Sequence, residues 1–372
     1  MSLQKGAMAF RVFTAAEQIN MDCQNELRAK AYAKFEGVEF GVPLVDVTRG
    51  VSLVGNGQDP NTLDFCYGGN LFFAVRTRKQ DKNASLVKEC LQYLVDKEVK
   101  TTGYVPRGKK KKELKDLAIQ MASVSPIMKM IGVRVVGIPD SKFVVMDASS
   151  VKKCDETLDY VKQNILPNNG LTMITPEYLY SLISKKSAES YIPFKIEGKL
   201  TITGIGNDFL TWLWAASEID GTLQKDTLVS LCGDISFRRD DEEGEGKDSV
   251  TTTMTKGVPW EGDGAKAAFA EGKKIKAAIF RVVKGDATYE LSLDETFLFS
   301  KVTEIMNDEE EGDDDKEEKK KDNSKNPEIL FTDRILAVRE ISETVFALFN
   351  KFVSTSAENE GFVNDWLNNR WN

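Results

Sequence analysis

No histidine occurs among the 372 residues. That absence removes the usual general base near neutral pH and the commonest transition-metal ligand, so Ser-His and Cys-His catalysis and nearly all zinc chemistry fall away. Carboxylate-magnesium chemistry, lysine chemistry and pure binding survive. Cysteine is sparse. Cys23, Cys66, Cys90, Cys154 and Cys232 are odd in number, far apart and mostly within apolar periodic segments, so they read as reduced core residues of a reducing compartment rather than bridges or metal ligands. No stretch approaches the roughly 18 uninterrupted apolar residues that span a bilayer, and the first residues lack an apolar core with a small-residue cleavage site. A cytoplasmic protein without a membrane partner is expected. There is no P-loop and no complete dinucleotide fingerprint. Gly204-Ile205-Gly206 opens a helix after a strand but lacks the third glycine, and it reads as a helix cap.

What the chain does contain is an uneven distribution of charge. The formal net charge is -8. Asp308 to Asp322 holds ten carboxylates and four lysines, and Arg238 to Asp248 holds six carboxylates and three basic groups. These segments account for -6 and -3, which leaves the remainder at about +1 and able to carry a basic face. One stretch concentrates that basic character: Arg107, Lys109, Lys110, Lys111, Lys112 and Lys115. Such a run is either a solvated loop or a phosphate grip.

Periodicity predicts a mixed α+β chain, and length favours two domains. Thr14 and Glu17 have capping-box spacing ahead of Ile19, Cys23 and Leu27, predicting a helix over about 15–33. A strand is expected at Leu71 to Arg78, then two helices flanking the lysines. Val133 to Ile138, a Pro139-Asp140-Ser141 turn and Phe143 to Met146 read as a hairpin, followed by a helix from about Ser150. A similar order recurs about 145 residues later: a helix at Gly264 to Glu271, strands Lys274 to Val283 and Thr288 to Leu293, and a helix from Asp294. This suggests two helix-hairpin-helix units, with halves 1–168 (basic run 107–115) and 169–372. Between them lie a helix capped by Thr175 and Pro176, a strand near Phe194 to Ile202, an apolar helix carrying Trp212 and Trp214, and a strand from Thr227 to Phe237. The charged stretch 307–326 is too polar to bury and reads as a flexible insertion. Ile329 to Phe331 and Ile335 to Val338 look strand-like before a terminal helix through Val345, Leu348 and Phe352. Trp366 and Trp371 look anchored on something.

Candidate chemistry is thin. Lys152 and Lys153 in the first turn of their helix oppose the macrodipole unless an anion is near, although Glu156 can pair with Lys152. Arg238 and Arg239 adjoin an acidic run that competes for them. Asp147-Ala148-Ser149-Ser150 lacks a base or a second ligand and reads as a strand end and helix cap. Asp234, Asp240 and Asp241 are the carboxylates a magnesium-dependent nuclease would use, and solvated loop carboxylates are the commoner outcome. The helix of Trp212 and Trp214 has no interleaved cations and reads as core. No catalytic residue, metal ligand or cofactor is assigned.

These segments resemble the RdgC family of bacterial recombination-associated DNA-binding proteins. The similarity is strongest over Lys142-Phe143-Val144-Val145-Met146-Asp147-Ala148-Ser149-Ser150-Val151-Lys152-Lys153. It extends to Lys112 to Met121, to Ala270-Glu271-Gly272-Lys273-Lys274-Ile275 with its hairpin, and to Ile329 to Phe352, about half the chain in all. The resemblance implies an α+β fold with internal pseudo-symmetry, and a homodimer closed into a ring around double-stranded DNA, with single-stranded DNA a further partner. It also implies little sequence preference, no enzymatic activity, restraint of RecA filaments and a nucleoid location. It matches Lys152 and Lys153 to the family's paired lysines, Arg238 and Arg239 to its second-half basic pair, and Lys111, Lys112 and Lys115 to its basic helix start. After Pro126 the family has arginine and phenylalanine residues that touch DNA, whereas here only Lys129 keeps a charge. The alternatives from other classes are a magnesium-dependent nuclease and a protein-interaction scaffold.

Overall fold

The computed structural model describes residues 7–19, 48–52, 66–81, 84–122, 127–147, 150–164, 170–196, 198–199, 204–221, 223–224, 226–240, 249–255, 261–305 and 327–371. The first half contains β1 (Met8–Ala15), β2 (Thr48–Ser52), β3 (Cys66–Tyr67), β4 (Asn70–Asp81), α1 (Ala84–Thr102), α2 (Gly108–Ala122), β5 (Ile127–Gly137), β6 (Phe143–Met146) and α3 (Val151–Asn164). The second contains β7 (Leu171–Met173), α4 (Pro176–Ser184), α5 (Ile205–Ile219), β8 (Thr227–Asp240), β9 (Ser249–Met254), α6 (Asp263–Ala270), β10 (Lys274–Lys284), β11 (Ala287–Asp294), β12 (Phe299–Ile305), α7 (Pro327–Ser354) and α8 (Ser356–Trp371). The fold is α+β.

Both halves share one antiparallel sheet, ordered β2-β4-β5-β6-β1-β12-β11-β10-β8-β9, with β3 on β4 and β7 on β1. β1 is the seam. Apart from Arg11, whose guanidinium donates to Thr296, and Thr14, its residues are apolar on both sides, which suits a central strand covered on both faces. Met8, Phe10 and Val12 enter the large core beneath α5, α7 and α8, while Phe13 and Ala15 enter a smaller one with Cys154 and Val161 of α3. Thr14 pairs with Phe143 of β6 and Thr172 of β7. The capping-box reading of Thr14 and Glu17 therefore fails at its start: two-sided burial and cross-strand pairing outweigh a local cap. The rest of that expected helix, 20–33, lies outside the described residues, as does the insertion 307–326.

Three other expectations are corrected. The expected helix from Asp294 is a turn leading into β12. Asp294 Oδ1 accepts hydrogen bonds from Thr296 N, Thr296 Oγ1 and Leu298 N, and Phe297 sits at φ 58, so the carboxylate caps a turn and the left-handed residue interrupts helical winding. The second unit is thus helix-strand-strand-strand, and the helix-hairpin-helix order does not recur in it. The region Phe194 to Ile202 shows, among its described residues, one bridge between Ile196 and Lys199 around Gly198 at φ 74. Ile329 to Val338 is helical within α7. Phe331, Ile335, Val338, Ile341, Val345, Leu348 and Phe352 form one continuous buried stripe, and that 3.6-residue period overrides two short runs that fit either structure.

α1 and α2 stand apart from this body. Leu94, Leu114 and Ala118 make a separate small cluster with Cys90, Leu91 and Val95, and the one substantial packing partner of each helix among the described elements is the other. β4 and β5 stay in register out to Asp81 opposite Ile127, so the helical pair emerges from the end of a long ribbon as an arm.

Candidate nucleic-acid interface

The basic run is helical. It begins at Gly108, whose φ of 53 suits glycine, and Lys109 to Lys112 make up the first turn of α2, which contains no carboxylate. Four cations at the positive end of a helix dipole oppose it, a cost offset when anions bind there. Leu114 and Ala118 hold the helix against Leu94, Cys90, Leu91 and Val95 of α1. At 100° per residue Lys109 and Lys112 fall opposite Leu114, and Lys111 and Lys115 lie along one flank. Arg107, all four lysines and Lys115 are exposed. Lys110 Nζ lies 3.4 Å from Glu98 Oε1 on α1, an exposed pair of small energetic weight.

Lys129 occupies β5 at the root of the arm, at the register position facing Lys79 of β4; its side chain lies outside the described residues. Like charges at directly opposed strand positions disfavour pairing. Reading single segments missed this juxtaposition, because Lys79 becomes a neighbour of Lys129 only through strand register. Lys152 and Lys153 are exposed in the first turn of α3, which packs on one face of the sheet through Cys154, Tyr160 and Val161.

Arg238 and Arg239 are elsewhere. β8 lies six strand steps from β5, roughly 29 Å along the sheet at about 4.8 Å per step. Arg238 Nη1 meets Glu295 Oε1 at 2.9 Å, and Arg239 Nη1 donates to the Glu271 carbonyl oxygen at 3.3 Å. Within one chain the candidate cations thus fall in four places, the arm, its root at Lys129, the start of α3 and the end of β8, and the arm holds the most.

No known family model matches the chain, and no curated protein matches it.

Other candidates acquire structural roles. Gly204 is the N-cap of α5. A Cβ on Gly206 would come 1.9 Å from the Glu295 carbonyl oxygen, so that glycine serves close contact between a helix and a turn. Asp147 accepts from Arg134 N at 2.5 Å and Arg134 Nη1 at 2.8 Å; burial pushes its carboxyl upward and the Arg134 bonds oppose this. Asp234 pairs with Lys301 at 3.3 Å, Asp240 ends β8 opposite Ser249, and Asp241 lies outside the described residues. Among the described residues no group of three or more Cys, Asp or Glu side chains could hold a metal ion, and no helix is long and apolar enough to cross a membrane. Trp212 and Trp214 are buried core residues. Lys274 Nζ and Asp208 Oδ1 form an ion pair at 2.5 Å with both side chains fully buried.

Proposed function

We propose that this chain binds DNA with little sequence preference, chiefly through the arm of α1 and α2, without catalysing a reaction. The observation that carries the reading is the concentration of Arg107, Lys109, Lys110, Lys111, Lys112 and Lys115 on the exposed outer end of a helical pair that packs against itself. Cations that meet phosphates position a protein without reading bases. Lys152 and Lys153 supply a second contact, and Lys129 a third at the root of the arm. The resemblance to the RdgC family extends the proposal to a nucleoid-associated homodimer closed around duplex DNA that restrains RecA filaments. A second copy would also bring a second arm to the same ligand.

The test is titration of a labelled 30-base-pair duplex at 50 and 200 mM salt. Four to six phosphate contacts imply an affinity loss of about a hundredfold to a thousandfold between the two. Replacing Lys109, Lys110, Lys111 and Lys112 by Glu weakens binding at least tenfold on unrelated sequences alike. Wild-type retention that ignores salt, or unchanged affinity in the variant, overturns the assignment. Light scattering of the full chain reports whether it is a dimer.

A further inference from the structure

The turn between α1 and α2 presents two apolar side chains to solvent. Tyr104 is 81% exposed and Val105 64%. Their presentation is specified by the backbone. Gly103 at φ 76 leaves α1 with its N–H donating to the Val99 carbonyl at 2.8 Å, and Gly108 at φ 53 opens α2. Thr102 Oγ1 donates to the Glu98 carbonyl at 2.9 Å and lies 3.4 Å from Tyr104 N, while Pro106 is buried beneath the turn. The ring therefore sits at the apex of a built turn.

From Gly103 to Lys112 there are five cations, Arg107 and Lys109 to Lys112, and no carboxylate. Tyr104 and Arg107 are three residues apart, at most about 11 Å of chain. An exposed flat ring followed within eight residues by five cations matches a ligand that offers planar apolar faces and closely spaced negative charges together. An acidic peptide would neutralise the lysines and leave the ring faces without a planar partner. Nucleic acid supplies both, and the faces of its bases are accessible where strands are unpaired. We infer that the arm tip binds unpaired nucleotides, with Tyr104 stacking on a base while Arg107 and the lysines of α2 hold the flanking phosphates. The inference rests on the DNA-binding reading and adds to it a stacking contact that only unpaired bases, in single strands, gaps and frayed ends, can make.

The experiment titrates the full chain into a 20-nucleotide single strand carrying a central 2-aminopurine, and into the same strand in a duplex, reading anisotropy and 2-aminopurine fluorescence. Wild-type protein quenches the single-strand probe. Tyr104→Ala abolishes most of the quench and weakens single-strand binding by about tenfold, as removal of one stacking platform does, with duplex affinity within about twofold. Tyr104→Phe keeps the quench, since the ring and not the hydroxyl stacks. A quench that persists in bound Tyr104→Ala overturns the inference and leaves the DNA reading intact. So does equal weakening on both probes. Dissociation of a protein oligomer in Tyr104→Ala with an unaltered quench overturns it too, by showing the tip to be a contact between copies. Wild-type protein that binds neither probe removes both the inference and the reading beneath it.

Discussion

Asp208 shows how much a single buried residue can hold together. Its carboxylate pairs with Lys274, accepts from Tyr191 Oη at 2.8 Å and from Phe194 N at 3.1 Å, and so ties α5, β10 and the extended segment 191–196 to one point. Burial pushes its carboxyl up, to about 6, with Lys274 working in the opposite direction; Lys274 is itself pushed down by burial. Removing one partner strands the other charge, so Asp208→Ala costs about 3–5 kcal/mol in urea unfolding. Pairing Asp208→Ala with Lys274→Met costs less than the two single changes added together. Cysteine chemistry offers a second prediction. Burial pushes the thiols of Cys154 and Cys232 up to about 11, so both stay protonated at pH 8. Mass spectrometry after brief iodoacetamide treatment of native protein is expected to find them unmodified, with labelling appearing only on unfolding.

At the scale of elements, α5 is the pivot, buried over most of its length. Its N-terminus presses on the turn after β11, where Gly206 meets Glu295. Gly206→Ala is expected to lower stability by about 1–3 kcal/mol through overpacking, whereas Gly204→Ser, with an added Cβ no closer than 3.8 Å to a neighbour, is neutral or stabilising as a better N-cap. Two denaturation curves separate these outcomes. The other end of α5 fastens α8. Glu218 accepts from Trp214 Nε1 at 2.7 Å and from Trp366 Nε1 at 3.0 Å and pairs with Arg370, whose guanidinium lies 5.2–5.5 Å from the rings of Trp214, Trp366 and Trp371. The expectation that Trp366 and Trp371 are anchored is met here. Loss of Glu218 orphans three donors, and Glu218→Ala costs about 3 kcal/mol, with the indole emission of the α8 tryptophans shifting to the red before the main transition.

For the whole molecule, the separation of the arm from the two sheet-borne cores makes it removable. Asp81 and Ile127 face each other in register, so replacing residues 82–126 by a short Asn-Gly turn closes the ribbon as a hairpin. The shortened chain is expected to keep its circular dichroism and unfold within a few degrees of wild type while losing salt-sensitive DNA retention; retained DNA binding would move the interface elsewhere. Periodicity alone revealed β4, the β5–β6 hairpin, α2, α3, α5, β8, β10, β11 and the α4 cap at Thr175 and Pro176, because each carries its own apolar period or capping residues. It misread Thr14, Asp294 and Ile329 to Val338, where short segments fit two structures and the decision came from what packs against them. The basic run was likewise visible as composition, and the resemblance set Lys111, Lys112 and Lys115 at a helix start, but the run's place on an isolated arm and the exposure of Tyr104 were not visible. The sequence by itself determined the α+β class, the core stripes and the location of positive charge, since these depend on spacing within one segment. Only the tertiary structure decided that β1 and β12 weld the halves into one sheet, that Arg238 and Arg239 are engaged far from the lysines, and that the lysines stand clear of the core. Those outcomes depend on pairing between segments distant along the chain, which local periodicity does not encode.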